Sequence, residues 1–231
     1  MFDYEAEYQR LRAAGGPGWA VVPQPDRALR LLNRLDQLDR AGIFPPPPAC
    51  VLELGCGNAR TALAMAERGH SVWGIDIAPT AIAWAREIFA EAGQTGDFQI
   101  GLASAMPRFS AGQFDAVIDG QCLHCLIGPD RTACLAEVRR ILRPHGLFFV
   151  SSMVAPPKSA EAQARFDAGR GCLMRDGESY RTLKPLATLT EELATAGFAV
   201  KDQALGINPW WDHAMLACRR VARKQLSYLS L

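Results

Sequence analysis

Residues 51–60, VLELGCGNAR, constrain this chain more than any other stretch. A short apolar run reads as a buried strand. Gly55 and Gly57 then make a turn that a Cβ would obstruct, and a helical pattern begins at Ala59-Arg60. A strand that enters a helix through a glycine turn is the opening unit of an α/β sheet. In such sheets ligands sit outside the carboxyl ends of the strands, where the strand order reverses.

The remaining chain fits that unit. The segments ACVLEL, SVWGID, DFQI, FDAVID and LFFVSS alternate with helical patterns near 59–68, 79–91 and 130–142. Short apolar strands separated by helices predict a parallel sheet covered on both faces. The pattern at 130–142 is the best punctuated: Pro129-Asp130 opens it, Leu135, Val138 and Leu142 share a stripe, and Pro144 with Gly146 closes it. Upstream, the loop GGPGW leads to an amphipathic helix at 26–39 carrying Leu31, Leu32, Leu35 and Leu38, and the prolines at 45–48 act as a stiff spacer. Downstream, a helix at 188–196 precedes strands at 198–204 and 213–219. Their joint, GINPWWD, is too short for a crossover helix and predicts an antiparallel hairpin at a sheet edge.

The expected fold is therefore α/β and doubly wound, a mostly parallel seven-stranded sheet with a C-terminal antiparallel strand hairpin. One domain is expected. It would comprise an N-terminal arm and helix (1–44), a cofactor-binding core (49–152), a cap over the substrate (155–185, rich in Arg, Gly and Pro) and a closing helix and hairpin (186–231).

Composition narrows the function. With 231 residues, 49% hydrophobic, the chain can bury one sizeable core. A net charge of +1 offers no general attraction to nucleic acid, and no apolar run reaches membrane-spanning length. The start, MFDYEAEYQR, is too charged for the core of a signal peptide, so the seven cysteines read as reduced thiols in a cytoplasm. Cys122 and Cys125 form a CxxC, but with no second pair for a zinc site no metal is expected, and packing thiols are the default reading.

Two cofactors could occupy the glycine turn. A dinucleotide needs G-x-G-x-x-G/A, and the sixth place here is Arg60. Glu53 would repel a pyrophosphate, yet its carboxylate suits the ammonium of an amino-acid ligand. Asp76, at the end of SVWGID, can accept from both hydroxyls of a ribose, a feature common to either cofactor.

Together VLELGCGNAR, GIDIAPTAIAWAR, FDAVIDGQCLHCL and VRRILRPHGLFFVSS resemble the successive motifs of Rossmann-like (class I) S-adenosylmethionine-dependent methyltransferases of small molecules, over residues 49–152. The resemblance implies that Glu53, Gly55 and Gly57 border the methionine half of S-adenosylmethionine. By the same resemblance Asp76 holds the ribose, Ile77 packs on the adenine, and Asp119 and Gly120 approach the amine and the methyl. Two departures stand out. Ala59 replaces the third glycine, and Leu102 stands where the family often has an acid that reads adenine, leaving that task to Ala103, Ser104 or backbone.

Methyl transfer from a sulfonium needs alignment above all, and a base where the acceptor is a hydroxyl or ammonium. The segment after the fourth strand, Asp119 to Cys125, should face the methyl. His124 is the candidate base, with packing at the strand exit as its bland alternative; Asp119 is the other candidate catalytic group. For the substrate, Tyr180 and Arg181 of the cap and Trp211 of the hairpin are the candidates, against simple packing. Tyr4, Tyr8 and Trp19 read either as a lid over the cofactor, which the resemblance favours, or as a packed arm. The expected activity is methyl transfer to an O, N or S nucleophile of a small molecule. The alternatives are a non-catalytic S-adenosylmethionine-binding regulator and a nicotinamide-dependent oxidoreductase. Oligomeric state is not legible.

Overall fold

The computed structural model describes residues 2–19 and 26–222. The expectations for residues 20–25 of the arm and 223–231 of the closing segment lie outside the described residues. Helices α1 (Tyr4–Ala13) and α2 (Asp26–Arg40) come first. The alternating core follows as β1 (Cys50–Leu54), α3 (Arg60–Ala66), β2 (Ser71–Asp76), α4 (Pro79–Glu91), β3 (Asp97–Ile100), β4 (Phe114–Asp119), α5 (Pro129–Ile141) and β5 (Leu142–Ala155).

The main sheet runs β3-β2-β1-β4-β5, and its far edge is the closing hairpin β10 (Phe198–Gly206) and β11 (Asp212–Arg220), with β11 antiparallel against β5. Its strands are buried on both faces, which is why they read as near-continuous apolar runs. Leu52, Val117, Phe148 and Val150 point to the layer made by α5 and by α7 (Leu186–Thr195). Their neighbours Val51, Ala116, Ile118 and Phe149 point to α2, α3 and α4, where Leu35, Leu38, Met65, Ile82 and Phe89 receive them. The strand order reverses between β1 and β4, so a crevice opens at their carboxyl ends.

Two features exceed the sequence expectation. A two-residue strand, β9 (Lys184–Pro185), pairs with Val154 and Ala155 beyond the end of β4 and makes the main sheet eight-stranded. The cap is also organised. Helix α6 (Ala160–Ala164) precedes an antiparallel sheet of β6 (Phe166–Asp167), β7 (Cys172–Arg175) and β8 (Glu178–Thr182). Asp176-Gly177 close the β7–β8 turn with φ of 51° and 79°, the left-handed pair that a two-residue hairpin demands.

Helix α1 is tied to α4 and not to the sheet. Asp3 caps it by accepting from the Ala6 N–H at 2.9 Å. Glu5 then accepts from the Thr80 N–H (3.0 Å) and hydroxyl (2.5 Å), and Tyr8 packs on Ala78 and Ala81. These contacts carry the arm across the exits of β1 and β2.

Candidate active site

The turn after β1 holds three alternate residues in the left-handed region: Gly55 (φ 56°), Gly57 (φ 54°) and Ala59 (φ 58°). Ala59 therefore sits in a backbone conformation that glycine adopts freely and alanine adopts at a cost of about 1–2 kcal/mol. A Cβ on Gly55 would lie 2.8 Å from the Cβ of Cys122, and one on Gly57 would lie 2.5 Å from the hydroxyl oxygen of Tyr8. The turn is thus pressed against the exit of β4 on one side and against α1 on the other.

Three buried carboxylates surround it. Glu53 accepts from the Ala62 N–H through Oε2 (2.9 Å), and its Oε1 faces Gly120, where a Cβ would come within 3.0 Å. Burial pushes Glu53 up to about 8, against lowering by the Thr61 and Ala62 donors. Asp76 accepts from the Gly57 N–H and the Ala78 N–H, each at 2.9 Å, and burial raises it as well. Asp119, wholly buried, accepts from the Cys122 and Leu123 N–H groups (2.7 and 2.8 Å) and is raised by burial to about 6. It thereby shapes the turn that carries Gly120, Gln121 and the 3-10 turn Leu123–Cys125.

The remaining cofactor candidates line the exits of β2 and β3. Asp76 pairs with Ile100, and the Gly101 N–H donates to the Asp76 carbonyl, so Ile77 and Leu102 leave adjacent strands together. Both are apolar and exposed (44% and 50%), while Ala103 is buried and Ser104 half-buried. Glu53, Gly55, Gly57, Asp76, Asp119 and Gly120 are brought together at one crevice, and Ile77, Ala103 and Ser104 at its flank.

This set fits S-adenosylmethionine and disfavours a dinucleotide. A pyrophosphate would take the N–H groups at the start of the helix after β1. Here the Ala62 N–H is already held by Glu53, so that donor is not open to a phosphate oxygen. The same carboxylate is a natural partner for an amino-acid ammonium, and the exposed Ile77 and Leu102 offer apolar surface to a base.

Residues 51–146 match the family described as "Methyltransferase domain". The matched stretch runs from β1 to the start of β5, the part of the chain that builds the crevice. Over 229 residues this chain is 27% identical to the ubiquinone biosynthesis O-methyltransferase of Xanthomonas axonopodis pv. citri (strain 306), covering 98% of this chain and 93% of that protein. It is also similar to two solved structures. One is described as "Conversion of a Disulfide Bond into a Thioacetal Group during Echinomycin Biosynthesis" (25% identity, TM-score 0.66, covering 98% of this chain and 96% of that one). The other, at 19% identity and TM-score 0.64, is the Burkholderia thailandensis 1,6-didemethyltoxoflavin-N1-methyltransferase with bound 1,6-didemethyltoxoflavin and S-adenosylhomocysteine. That chain shares the fold, over 96% of this one and 92% of its own length.

Beside the crevice the protein has a cavity of about 330 Å³. Its walls include Gln121 from the turn after β4, Trp19 from the arm, Arg165 and Tyr180 from the cap, and Trp211 and His213 from the hairpin. Of the sequence-derived substrate residues, Tyr180 and Trp211 line it and Arg181 does not. Arg181 donates to the Tyr4 hydroxyl at 2.5 Å and lies over the rings of Phe2, Tyr4 and Tyr180. His124 is buried (4% exposed) and lies behind the wall, its ring edge-on to His213 at 6.1 Å between centroids.

Neither Arg165 nor His213 was singled out from the sequence, because which strand end meets the turn after β4 depends on register. The turn itself is anchored by Arg131. This buried guanidinium donates to the Leu123 carbonyl (2.6 Å), to the Thr182 hydroxyl (2.9 Å) and to the Glu192 carboxylate at 2.8–3.0 Å, and the Thr182 hydroxyl donates to the His124 carbonyl (3.2 Å). Among the described residues no group of His, Cys, Asp or Glu is arranged to hold a metal.

Proposed function

We propose that the methyltransferase binds S-adenosylmethionine in the crevice after β1 and transfers its methyl group to an aromatic hydroxyl held in the adjoining cavity. The observation that carries the reading is the cavity's extent. One wall is Gln121, which follows Gly120 in the turn beside Glu53, and the others include the aromatic side chains of Trp19, Tyr180 and Trp211. About 330 Å³ suits a molecule of one or two rings. The O-methyltransferase name of the Xanthomonas relative supports oxygen as the acceptor atom.

When bound, the cofactor supplies a methyl group activated on a sulfonium. Glu53 Oε1 accepts from the cofactor's ammonium, and Asp76 adds ribose hydroxyls to the two backbone donors it already holds. Ile77 and Leu102 pack on the base, with Ala103 and Ser104 at its edge. Asp119 acts through the backbone, keeping Gly120 and Gln121 at the level where the methyl must lie. Tyr180 and Trp211 sandwich the acceptor ring, and the Arg165 guanidinium, which lines the same wall, takes an acidic substituent. Tyr8 and Trp19 exclude water from above.

The test is the release of S-adenosylhomocysteine from S-adenosylmethionine, followed by mass spectrometry over matched panels of phenols, catechols, aromatic thiols and aromatic amines. Turnover of the hydroxylated members alone is expected. Turnover confined to thiols or amines would overturn oxygen as the acceptor, and failure of the protein to bind S-adenosylhomocysteine would overturn the crevice assignment.

A further inference from the structure

We infer that His213 is the proton acceptor of the methyltransferase and that His124 positions it. The inference rests on the reading that the acceptor is a hydroxyl. His213 stands near the start of β11, opposite Met153 of β5 and Gly206 of β10. The last pair between β4 and β5 is Asp119 with Val150, so Met153 lies three residues further along β5, about 10 Å past the end of β4. That distance lifts His213 over the carboxyl edge of the sheet, into the space where the turn after β4 folds back. Its side chain is half-buried and lines the cavity together with Gln121.

His124, by contrast, is screened from the cavity. Its ring meets His213 edge-on, and its backbone is fixed from the other side by the Thr182–Arg131–Glu192 chain of hydrogen bonds. A residue held this firmly behind another orients it, and the residue in front meets the substrate. Charged and titratable groups face His213 from several elements among the described residues. On its own strand, Asp212 is paired with Lys158 (2.5 Å). Across the cavity stand Glu161, Arg165 and Tyr180 of the cap, with Arg30 from α2, and His124 stands behind.

In the step assigned, the hydroxyl proton passes to a His213 ring nitrogen as the oxygen attacks the methyl carbon. The carbon–sulfur bond breaks with its electron pair going to sulfur, which becomes a neutral thioether. The imidazolium then returns its proton to solvent. No other reactant is consumed.

The experiment compares wild type with His213→Ala, His213→Gln and His124→Ala, using two readouts. The first is the pH profile of kcat for a hydroxylated acceptor found in wild type. His213→Ala and His213→Gln should each lose about 10²–10⁴-fold in turnover and lose the rising limb near neutral pH. His124→Ala should keep the limb, displaced, with a smaller loss. The second needs no turnover: 4-nitrophenol, whose ionisation is visible by absorbance, is titrated with pH on the protein saturated with S-adenosylhomocysteine. Wild type should ionise the bound probe at lower pH than in free solution, and both His213 variants should not, while binding S-adenosylhomocysteine normally. Loss of less than about threefold in the His213 variants, with probe ionisation unchanged, would overturn the inference. So would a full loss in His124→Ala alone, which would make His124 the acceptor. A wild type that methylates only thiols or amines overturns the hydroxyl reading itself. That failure is read before any variant is made and so is distinct from a failure of His213.

Discussion

Tyr4 and Arg181, separated by 177 positions in the chain, are joined by a 2.5 Å hydrogen bond from the guanidinium to the phenol oxygen. The bond ties the N-terminal arm to the cap across the mouth of the site. Phe2 and Tyr180 add their rings to the same guanidinium. The Arg181 guanidinium is thus shared between the arm and the cap.

Tyr4→Phe tests the latch. It keeps the ring and removes the oxygen, leaving a partly buried charge short of one partner, a loss of about 1.5–3 kcal/mol for a hydrogen bond to a charged group. The open arm should become about tenfold more populated. S-adenosylhomocysteine should dissociate correspondingly faster, and limited proteolysis should cut the arm sooner. Unchanged dissociation and cutting would mean that the ring contacts alone hold the arm.

Asp76→Ala should act on both cofactor and fold. Both carboxylate oxygens already accept a backbone N–H, from Gly57 and from Ala78, so the substitution strips buried donors as well as the ribose acceptor. The expected result is a loss of at least about tenfold in S-adenosylhomocysteine affinity by calorimetry. Melting should fall by at least about 4 °C, taking two unsatisfied N–H groups at about 1–3 kcal/mol each and about 2–4 °C per kcal/mol for a chain of this size. Lost affinity with unchanged melting would show that water replaces the carboxylate at the turn.

How much of this was legible in the sequence depended on whether the signal was local. The meeting of Glu53, Gly55, Gly57 and Asp76 was readable because each stands at a strand's end or in the turn that follows it, and the hairpin β10–β11 because seven residues cannot hold a crossover. The cap sheet escaped because its strands are two to five residues long, too short for a period to show. Only Asp176-Gly177 marked a hairpin there. The contact between Arg181 and the arm was illegible for another reason. Its partner Tyr4 lies at the opposite end of the chain, and no spacing rule connects them. The order of His124 and His213 was equally hidden, since it follows from β5 and β11 continuing past the end of β4, with His213 placed three residues beyond it.

The pH dependence of stability should carry the mark of Glu53. Burial raises it from its ordinary 4.5 to about 8, so between those values the folded protein holds a proton that the unfolded chain has released. Its contribution is full below pH 4.5 and is lost as the pH rises toward 8. Asp119, raised to about 6, acts with the same sign over a lower window. Glu53→Gln keeps an acceptor for the Ala62 N–H without a titrating proton. The melting temperature of Glu53→Gln minus that of wild type, both ligand-free, should therefore grow from pH 5 to pH 8. A difference that is flat over this range would place the ionisation of Glu53 outside it.

The contact between Gly57 and Tyr8 allows the arm and the turn to be separated. Gly57→Ala meets two obstacles: a left-handed φ of 54°, and a Cβ only 2.5 Å from the Tyr8 hydroxyl oxygen. The first costs about 1–2 kcal/mol, and Ala59 two positions on already sits in the same region at φ 58°. The second cannot be absorbed without moving Tyr8, and with it the helix that Glu5 ties to Thr80. Removing the hydroxyl leaves the nearest ring atom, Cζ, at 3.4 Å, an ordinary contact. Gly57→Ala should therefore destabilise the protein by more than the backbone cost, Tyr8→Phe by little, and the double variant should recover to about 1–2 kcal/mol below wild type in a denaturant cycle. Additive effects would mean that α1 shifts freely and that Tyr8 is not held on the turn. S-adenosylhomocysteine affinity divides the remaining possibilities. If it stays low in the double variant, the Cβ blocks the ligand's own approach to the turn. If it recovers with stability, Gly57 is required to seat the arm, and the cofactor keeps its distance from that carbon.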